Sequence, residues 1–535
     1  MLRIYAIVLF LGGFLSFVRG ASYEQAVSVK FGLTDLAVPF TVRDPKPGTP
    51  FQEANAPFEG LRAFGSDSMK RVWLASTNGA VRFDSRSLEP WDRWRVFAGK
   101  RWLLDDDVRA IWIDPNIPSK IWIRTASGAS LIEFQRYTLE KKAAYFEDRI
   151  QARHVRHGLI ADCEFKNPGD LSTFAPASSD NDGLWSAIYI AAESYRYAIT
   201  GAPDAKRNAY RSVEALMRLE EITGIPGFPA RSYVSLKEKL PLDGEWHLTP
   251  DGQWHWKGDT SSDEIVGHYY AYSTYYDLVA DRKEREAIRR VITRITDHII
   301  DHEWNLIDLD GKPTLWGQWS ETYFDSEKGR DDQGLNALEL LSFLKTAYHI
   351  TALPRFKAAY EDRLKRGYAQ RMTYYRSNEI NFSDDELAYL SWQPLLKYER
   401  DPVLRAQYLP VFKALASVTR SDRNPLWNFI VMESLSLPAS DDLIEPSRRS
   451  LERIPMDLVT WTVHNSARKN LKYRPGMDRF GRRELVDAFA PDERPVARWN
   501  SNPYYPDGGG DGHTEDDGAF FLLPYWLGRY HRWIK

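Results

Sequence analysis

Two periods divide the chain. Between about residue 60 and residue 135, apolar and polar positions alternate in short runs, the period of strands. Trp73-Leu74-Ala75-Ser76-Thr77-Asn78-Gly79-Ala80-Val81-Arg82-Phe83 recurs loosely as Trp122-Ile123-Arg124-Thr125-Ala126-Ser127-Gly128-Ala129-Ser130-Leu131. Each copy reads as strand, Gly-containing turn, strand, and the copies stand 49 residues apart. From residue 136 onward the period turns helical. Candidate helices run over 137–157, 182–200, 204–223, 261–281, 283–303, 334–350, 354–371, 383–398, 401–419, 424–436, 441–455 and 514–531.

These helices alternate in kind. The odd members, such as the one opening Asp281-Arg282-Lys283-Glu284-Arg285-Glu286, are amphipathic with long charged side chains. The even members are rich in apolar, aromatic and small residues, as inner helices shielded by outer ones would be. Their openings are acidic or polar: Asp180-Asn181-Asp182-Gly183, Gly258-Asp259-Thr260-Ser261-Ser262-Asp263-Glu264, Asp331-Asp332-Gln333-Gly334, Ser383-Asp384-Asp385-Glu386, Asn424-Pro425 and Gly512-His513-Thr514-Glu515-Asp516-Asp517. Any one of these is an ordinary N-cap or first-turn acid. Six in alternation place most of the acidic clusters around one mouth, because every inner helix of an antiparallel ring starts at the same end.

Composition narrows the function. Lys plus Arg number 71 against 74 Asp plus Glu, so no basic excess points to nucleic acid. A single cysteine, Cys163, excludes an internal disulfide and a cysteine zinc site. The 19 Trp and 28 Tyr are a large supply of flat, amphipathic surface. Residues 1–20 carry Arg3, the apolar run Ile4 to Val18 and a small-residue site before Ala21, which predicts a secretory signal. No later segment is long and apolar enough to span a bilayer. The expectation is an exported protein, secreted or periplasmic, with no transmembrane span after cleavage; nothing in the sequence speaks to its oligomeric state.

The helical pattern with acidic inner starts resembles the six-hairpin, or (α/α)6-toroid, glycosidases and lyases. The resemblance covers residues 136–535. Residues 21–135 form a separate β-rich part whose two repeats resemble the blades of periplasmic regulator propellers. Two copies cannot close a propeller. The fold expected is mainly α, an (α/α)6 toroid with a small N-terminal β domain. The resemblance implies a carbohydrate substrate bound in the funnel at the inner-helix N-termini.

Glycoside hydrolysis needs two carboxyl groups, one protonated to serve the leaving group and one ionised to activate water or attack. The expected pair is Asp182 and Asp263, with Glu264, Glu321 and Glu515 as alternatives. Substrate binding is expected from Asp180, Trp185, Asp259 and His268, from Trp254 and Trp256 in a loop, and from Trp316 and Trp319 beside Glu321. Indole faces stack on sugar rings while polar neighbours read the hydroxyls. The glycine-rich segment before residue 514 is expected to form one wall, delivering Asn502, Tyr505 and His513. Asp180-Asn181-Asp182-Gly183 and Asp308-Leu309-Asp310-Gly311 look like fragments of Ca²⁺ loops without the Glu at position twelve. No cofactor is therefore expected, an oxygen-lined Ca²⁺ site being the alternative. A lyase on the same fold and a non-catalytic glycan sensor stand beside the hydrolase. The acidic mouth, with Arg231 and Arg498 its only evident cations, favours hydrolysis over elimination; the expected substrate is an oligo- or polysaccharide, with uronic-acid-containing glycans among the candidates.

Overall fold

A computed structural model describes residues 21–32, 48–87, 90–374, 381–439, 441–498 and 500–535. The expected signal at 1–20 lies outside the described residues. The β part contains β1 (Tyr23–Gly32), β2 (Thr49–Pro50), β3 (Arg62–Ser66), β4 (Val72–Ser76), β5 (Gly79–Phe83), β6 (Trp94–Phe97), β7 (Val108–Ile113), β8 (Lys120–Thr125) and β9 (Gly128–Tyr137). They form two antiparallel sheets, ordered β2-β3-β4-β5-β6 and β1-β9-β8-β7. The two sequence copies are the hairpins β4–β5 and β8–β9. Their turns share one hydrogen bond: Ser76 Oγ donates to the Gly79 carbonyl at 2.8 Å, and Thr125 Oγ1 to that of Gly128 at 3.2 Å. Glycine is required at Gly128, where φ is +156° and a Cβ would stand 2.4 Å from the Phe31 carbonyl oxygen. Strand β1 pairs with β9 over its whole length and so supplies the fourth strand of the second sheet.

Strand β9 runs almost directly into the helical part, where Thr138 caps the first helix. Among the described residues there are twelve helices of ten or more residues. They are α1 (Leu139–Arg149), α2 (Asp182–Thr200), α3 (Pro203–Glu221), α4 (Ser262–Leu278), α5 (Arg282–Asp301), α6 (Gly329–Thr351), α7 (Pro354–Lys365), α8 (Phe382–Tyr398), α9 (Pro402–Thr419), α10 (Pro425–Ser434), α11 (Asp441–Arg453) and α12 (Ala519–Tyr530). Helices α2, α4, α6, α8, α10 and α12 pack each against the next, and α12 packs back on α2. The ring is closed. Helices α1, α3, α5, α7, α9 and α11 lie against it from outside. This is an (α/α)6 toroid.

The alternation of the sequence explains the two layers. In α5 only one stripe is buried, including Ile288, Val291, Ile292, Ile295 and Ile299 at helical spacing. In α4 nearly every residue is buried, among them Tyr269, Tyr270, Tyr272, Tyr275 and Tyr276. Several expected boundaries shift, two of them with a change of structure. The first helix stops at Arg149 and continues as a π-helical turn, Ile150–His154, before a short strand. The last begins at Ala519 because Asp507–Glu515 is a strand, paired with Asp162–Phe165 on one side and Val459–His464 on the other.

The β part is docked on the toroid through buried charge. Arg95 reaches Asp492 at 2.7 Å and the Trp102 indole donates to the Asp492 carbonyl at 3.3 Å. The fully buried Lys142 of α1 donates to Gln25 of β1 at 2.8 Å and to the carbonyls of Leu451, Glu452 and Ile454 at the C-terminal end of α11, joining the three elements.

Candidate functional site

The starts of α4, α6 and α8 meet at a cavity of about 740 Å³. Ser262 and Asp263 come from α4, Asp331, Asp332, Leu335 and Asn336 from α6, and Ser383, Asp384 and Leu387 from α8. The spacing of four within Asp332/Asn336 and Ser383/Leu387 puts each pair on one helix face. Trp316, on the strand Pro313–Gln318 of a short hairpin, and Arg231, Lys328, Asn381, Arg479 and Phe480 from connecting segments complete the wall. Trp316 is 45% and Phe480 61% exposed, so two aromatic faces stand open beside four carboxylates and three cations.

The acids differ in what surrounds them. Removal from bulk water pushes the Asp384 carboxyl up to about 6. The charges of Asp263 and Asp332 push the same way, against a hydrogen bond with Asn381 and the Arg479 guanidinium 3.7 Å away. Burial also raises Asp263, against a Ser261 hydrogen bond and the Arg231 charge. The Asp332 carboxylate accepts the Tyr323 hydroxyl at 2.5 Å. Beneath this rim lie Glu264, Glu339 and Glu386, all at most 1% exposed and all held well above the usual carboxylate range by burial. Burial there favours the protonated, uncharged form of each.

A second cavity of about 210 Å³ shares Arg231 with the first and is lined by Asp180, Lys257, Asp259, Asp308 and Asp310 among others. Arg231 is aimed by main-chain carbonyls, donating to Asp180 O at 2.9 Å and Asp259 O at 3.1 Å. Asp259 sits at φ +49° and binds the next hairpin, accepting from the Leu315 amide at 2.8 Å. Lys257 Nζ lies 2.6 Å from both Asp180 and Asp243.

Of the expected catalytic acids, Asp263 alone faces the large cavity. Asp182 is fully buried, with Arg156 at 2.5 Å and Ser232 Oγ at 2.5 Å on one oxygen and the Ser179 amide and hydroxyl on the other. Glu264 points into the core, where it accepts the Gly183 amide at 3.0 Å. A Cβ on Gly183 would stand 1.9 Å from Glu264 Oε2, so the glycine makes room for this carboxyl. Glu321 is clamped by both oxygens to Arg363 at 2.8 Å, tying its short helix to α7. Glu515 is 3% exposed and gripped by Arg153 at 2.7 and 2.8 Å.

The expected binding residues divide similarly. Trp316 lines the large cavity, with Lys328 Nζ 5.1 Å above its ring, whereas Trp319 is fully buried and donates to Glu339 at 2.9 Å. Asp180 and Asp259 line the smaller cavity. Trp254 and Trp256 lie on a strand rather than a loop, Trp254–Lys257, with Trp256 packed on Phe228 and His247 and Trp254 beside Tyr233 and Arg218. His268 is buried beside Tyr272, and burial pushes it down to about 3, so it is neutral. Trp185 lies under Arg498, 4.4 Å from its ring centre. Asn502 is held by Glu484, Tyr505 by Asp478, and His513 by the Phe165 carbonyl at 2.7 Å. The glycines of that segment serve packing. A Cβ at Gly509 would lie 2.1 Å from the Trp461 carbonyl oxygen, and one at Gly512 2.1 Å from the Trp461 ring.

Asp332 and Asp384, Lys328 and the Arg479–Phe480 wall were not among the expected site residues. The signal for the two aspartates is the acidic helix start, present in Asp331-Asp332 and Ser383-Asp384; nothing local marks Arg479. The aspartates of the two Ca²⁺-like fragments bind elsewhere, Asp308 to the Asp259 amide at 2.6 Å and Asp310 to Lys312 at 3.0 Å. Among the described residues no group of three or more His, Cys, Asp or Glu could hold a metal ion, and no helix is long and apolar enough to cross a membrane.

No protein-family model matches the chain, and no curated protein is similar to it in sequence. Solved structures similar to it include a sugar epimerase from a ruminal bacterium, 11% identical, covering 74% of this chain and 100% of that one at a TM-score of 0.39. A glycoside hydrolase family 76 mannosidase from Bacteroides thetaiotaomicron is 10% identical, with 74% and 99% covered and a TM-score of 0.41. A cellobiose 2-epimerase from Spirochaeta thermophila is 12% identical, with 73% and 98% covered and a TM-score of 0.37. The toroid is established by the helix packing of this chain itself.

Proposed function

We propose that the protein is a carbohydrate-active enzyme, a glycoside hydrolase acting on an oligo- or polysaccharide that carries anionic groups such as uronate. The observation that carries this reading is the cavity-facing Asp384 carboxyl, raised to about 6 beside Asp263 and Asp332 on neighbouring inner helices. Two titratable groups pushed into different environments are what acid–base cleavage of a glycosidic bond requires. Asp384 protonates the leaving oxygen. Asp332, its carboxylate oriented by Tyr323, activates water or attacks. Trp316 and Phe480 stack on sugar rings, and Arg231, Lys328 and Arg479 accept the anionic substituents. The smaller cavity extends the same groove through Arg231.

β-Elimination fits less well. Its cations are present, but among the described residues no His or Tyr lines the cavity to abstract a carbon-bound proton, and the one lining lysine, Lys328, has its Nζ engaged with the Leu315 carbonyl and the Trp316 ring. Export through the signal at residues 1–20, to the periplasm or the medium, belongs to the same proposal.

The test is incubation of the protein with neutral and uronic-acid glycans, following reducing ends and the ultraviolet absorbance of unsaturated uronides. New reducing ends without absorbance support hydrolysis. Absorbance rising with them overturns it in favour of elimination, and binding without either signal overturns it in favour of a glycan sensor. Asp384→Asn and Asp332→Asn should each lower turnover by about 10²–10⁴-fold with the fold retained.

A further inference from the structure

The seam between the β part and the toroid holds a cavity of about 180 Å³ that shares no lining residue with the saccharide cavity. Five guanidinium groups, Arg71, Arg82 and Arg95 from the β part and Arg449 and Arg453 from α11, line it together with the carboxylates of Glu24, Asp84, Asp92 and Glu452. Four of the guanidinium groups are held by carboxylates. Arg71 meets Asp67 at 2.7 Å, Arg95 meets Asp492 at 2.7 Å, Arg449 meets Glu445 at 2.8 Å, and Arg453 meets Asp492 at 2.8 Å.

Arg82 is different. Its side chain is 7% exposed, and its nearest carboxylate oxygen is Asp92 Oδ1 at 3.8 Å. Asp92 is already engaged, with Arg453 at 3.0 Å and Arg449 at 3.1 Å. Among the described residues the Arg82 guanidinium makes no hydrogen bond, and its Nε is buried without a partner. Arg82 also stands directly opposite Arg95 in the β5–β6 register. Like charges directly across a ladder destabilise a sheet, and a buried guanidinium without a counter-charge costs more still. Burial, and then the charges of Arg95, Arg71 and Arg453, push Arg82 down to about 9, so it stays cationic at neutral pH. A strand position that needed only packing would hold an apolar side chain here. The arrangement is that of an anion cradle: several preorganised forks, one of them unspent, around a space of small-molecule size.

We propose that this seam binds a small oxyanion of phosphate or sulfate size, with Arg82 as its principal donor, and that the anion ties the β part to the toroid. The bound anion would supply Arg82 with the close counter-charge it lacks, would offset its repulsion with Arg95 across the ladder, and would bridge strand β5 to α11.

The experiment is thermal unfolding of the full chain, titrated separately with inorganic phosphate, sulfate and acetate against chloride at matched ionic strength. The expected result is a saturable rise in Tm with phosphate or sulfate, absent with chloride; acetate sharing it would extend the class to carboxylates. Arg82→Met should melt at or above the wild type in chloride and lose the saturable rise, while Arg82→Lys keeps a weakened one. Arg479→Met, in the saccharide cavity, should keep the full rise. A wild type without a saturable rise overturns the proposal. So does a rise that persists in Arg82→Met, or one that disappears in Arg479→Met, which would place the anion in the saccharide cavity. Should Arg82→Met fail to fold, isothermal titration of the wild type with phosphate, compared with Arg82→Lys, decides the same question.

Discussion

If Asp384 delivers the proton, its pKa is the alkaline limb of the pH–rate profile, and Arg479 controls where that limb falls. At a pKa of about 6, roughly one molecule in eleven carries the proton at pH 7. An ordinary aspartate near ~3.9 would carry it in about one in a thousand, so the raised value is worth on the order of a hundredfold in active acid. The Arg479 guanidinium stands 3.7 Å from Asp384 and holds the carboxyl down, but it is 50% exposed, so solvent screens most of the attraction. Arg479→Met should therefore raise the limb by about 0.5–1 unit, the scale of a screened surface pair. At pH 7 the fraction of maximal kcat/KM would grow about threefold or more. The assay is kcat/KM from reducing-end release between about pH 4 and 8, with circular dichroism at each pH to confirm folding. Arg479→Lys, which keeps the charge, should return the limb toward the wild type. A limb that stays in place or falls in Arg479→Met, or a wild type with no limb near 6, would refute the assignment of Asp384.

The two neighbouring tryptophans Trp316 and Trp319 should part company: Trp316→Ala weakens glycan binding about tenfold at unchanged Tm, while Trp319→Ala, which empties a fully buried site, costs about 3–5 kcal/mol in urea unfolding. Glu515→Gln should destabilise by about 3–5 kcal/mol, because it strands Arg153 without its buried partner, yet leave kcat per folded molecule unchanged; a turnover loss without a stability loss would return Glu515 to the chemistry. Asp422, 2% exposed and bonded to the Tyr504 hydroxyl, is pushed up to about 7 by burial. The folded chain therefore keeps a proton that the unfolded chain releases above about pH 4. Its contribution to stability falls as pH rises from ~4 to ~7, by up to about 1.4 kcal/mol per unit. Asp422→Asn should flatten that part of the stability-against-pH curve, and an unchanged slope would show that Asp422 is ionised in the fold.

The toroid was legible because its two layers impose different chemistry on alternate helices. A helix such as α4, shielded on all sides, has to be apolar or aromatic all round, and one such as α5 needs only a stripe; both patterns survive in the sequence. The ends were less legible. Thr514 and Glu515 suggest a helix start, but three glycines and Trp461 turn that stretch into a strand by close packing that no local pattern reports. The site was half legible for a related reason. Every acidic helix start looks alike in sequence, whether its carboxylate faces solvent, a cavity or an arginine. Arg156 lies 26 residues before Asp182 and takes it out of the funnel. Arg479 comes from a segment some 95 residues after Asp384 and brings a cation into it. Both are tertiary facts.

Burial is the first cause that raises Asp384, and the floor below it is built of carboxyls that burial raises as well. Glu339, on α6, faces the same end of the ring as Asp263, Asp332 and Asp384 and is fully buried, its carboxyl accepting the Trp319 indole. Were it ionised, it would add a fourth negative charge to the cluster. Burial and its acidic neighbours instead hold it well above the ordinary range, which favours its neutral, hydrogen-bonding form. Glu339→Gln replaces one neutral group by another of the same shape, and the Gln carbonyl can still accept the indole N–H. The alkaline limb should therefore stay where it is. Stability should rise relative to the wild type as pH climbs above about 4.5, because only the unfolded wild type then releases its proton. A limb that drops in Glu339→Gln would mean that a negative charge had been removed, and the floor would have to be redrawn as part of the acid cluster rather than as its insulating base.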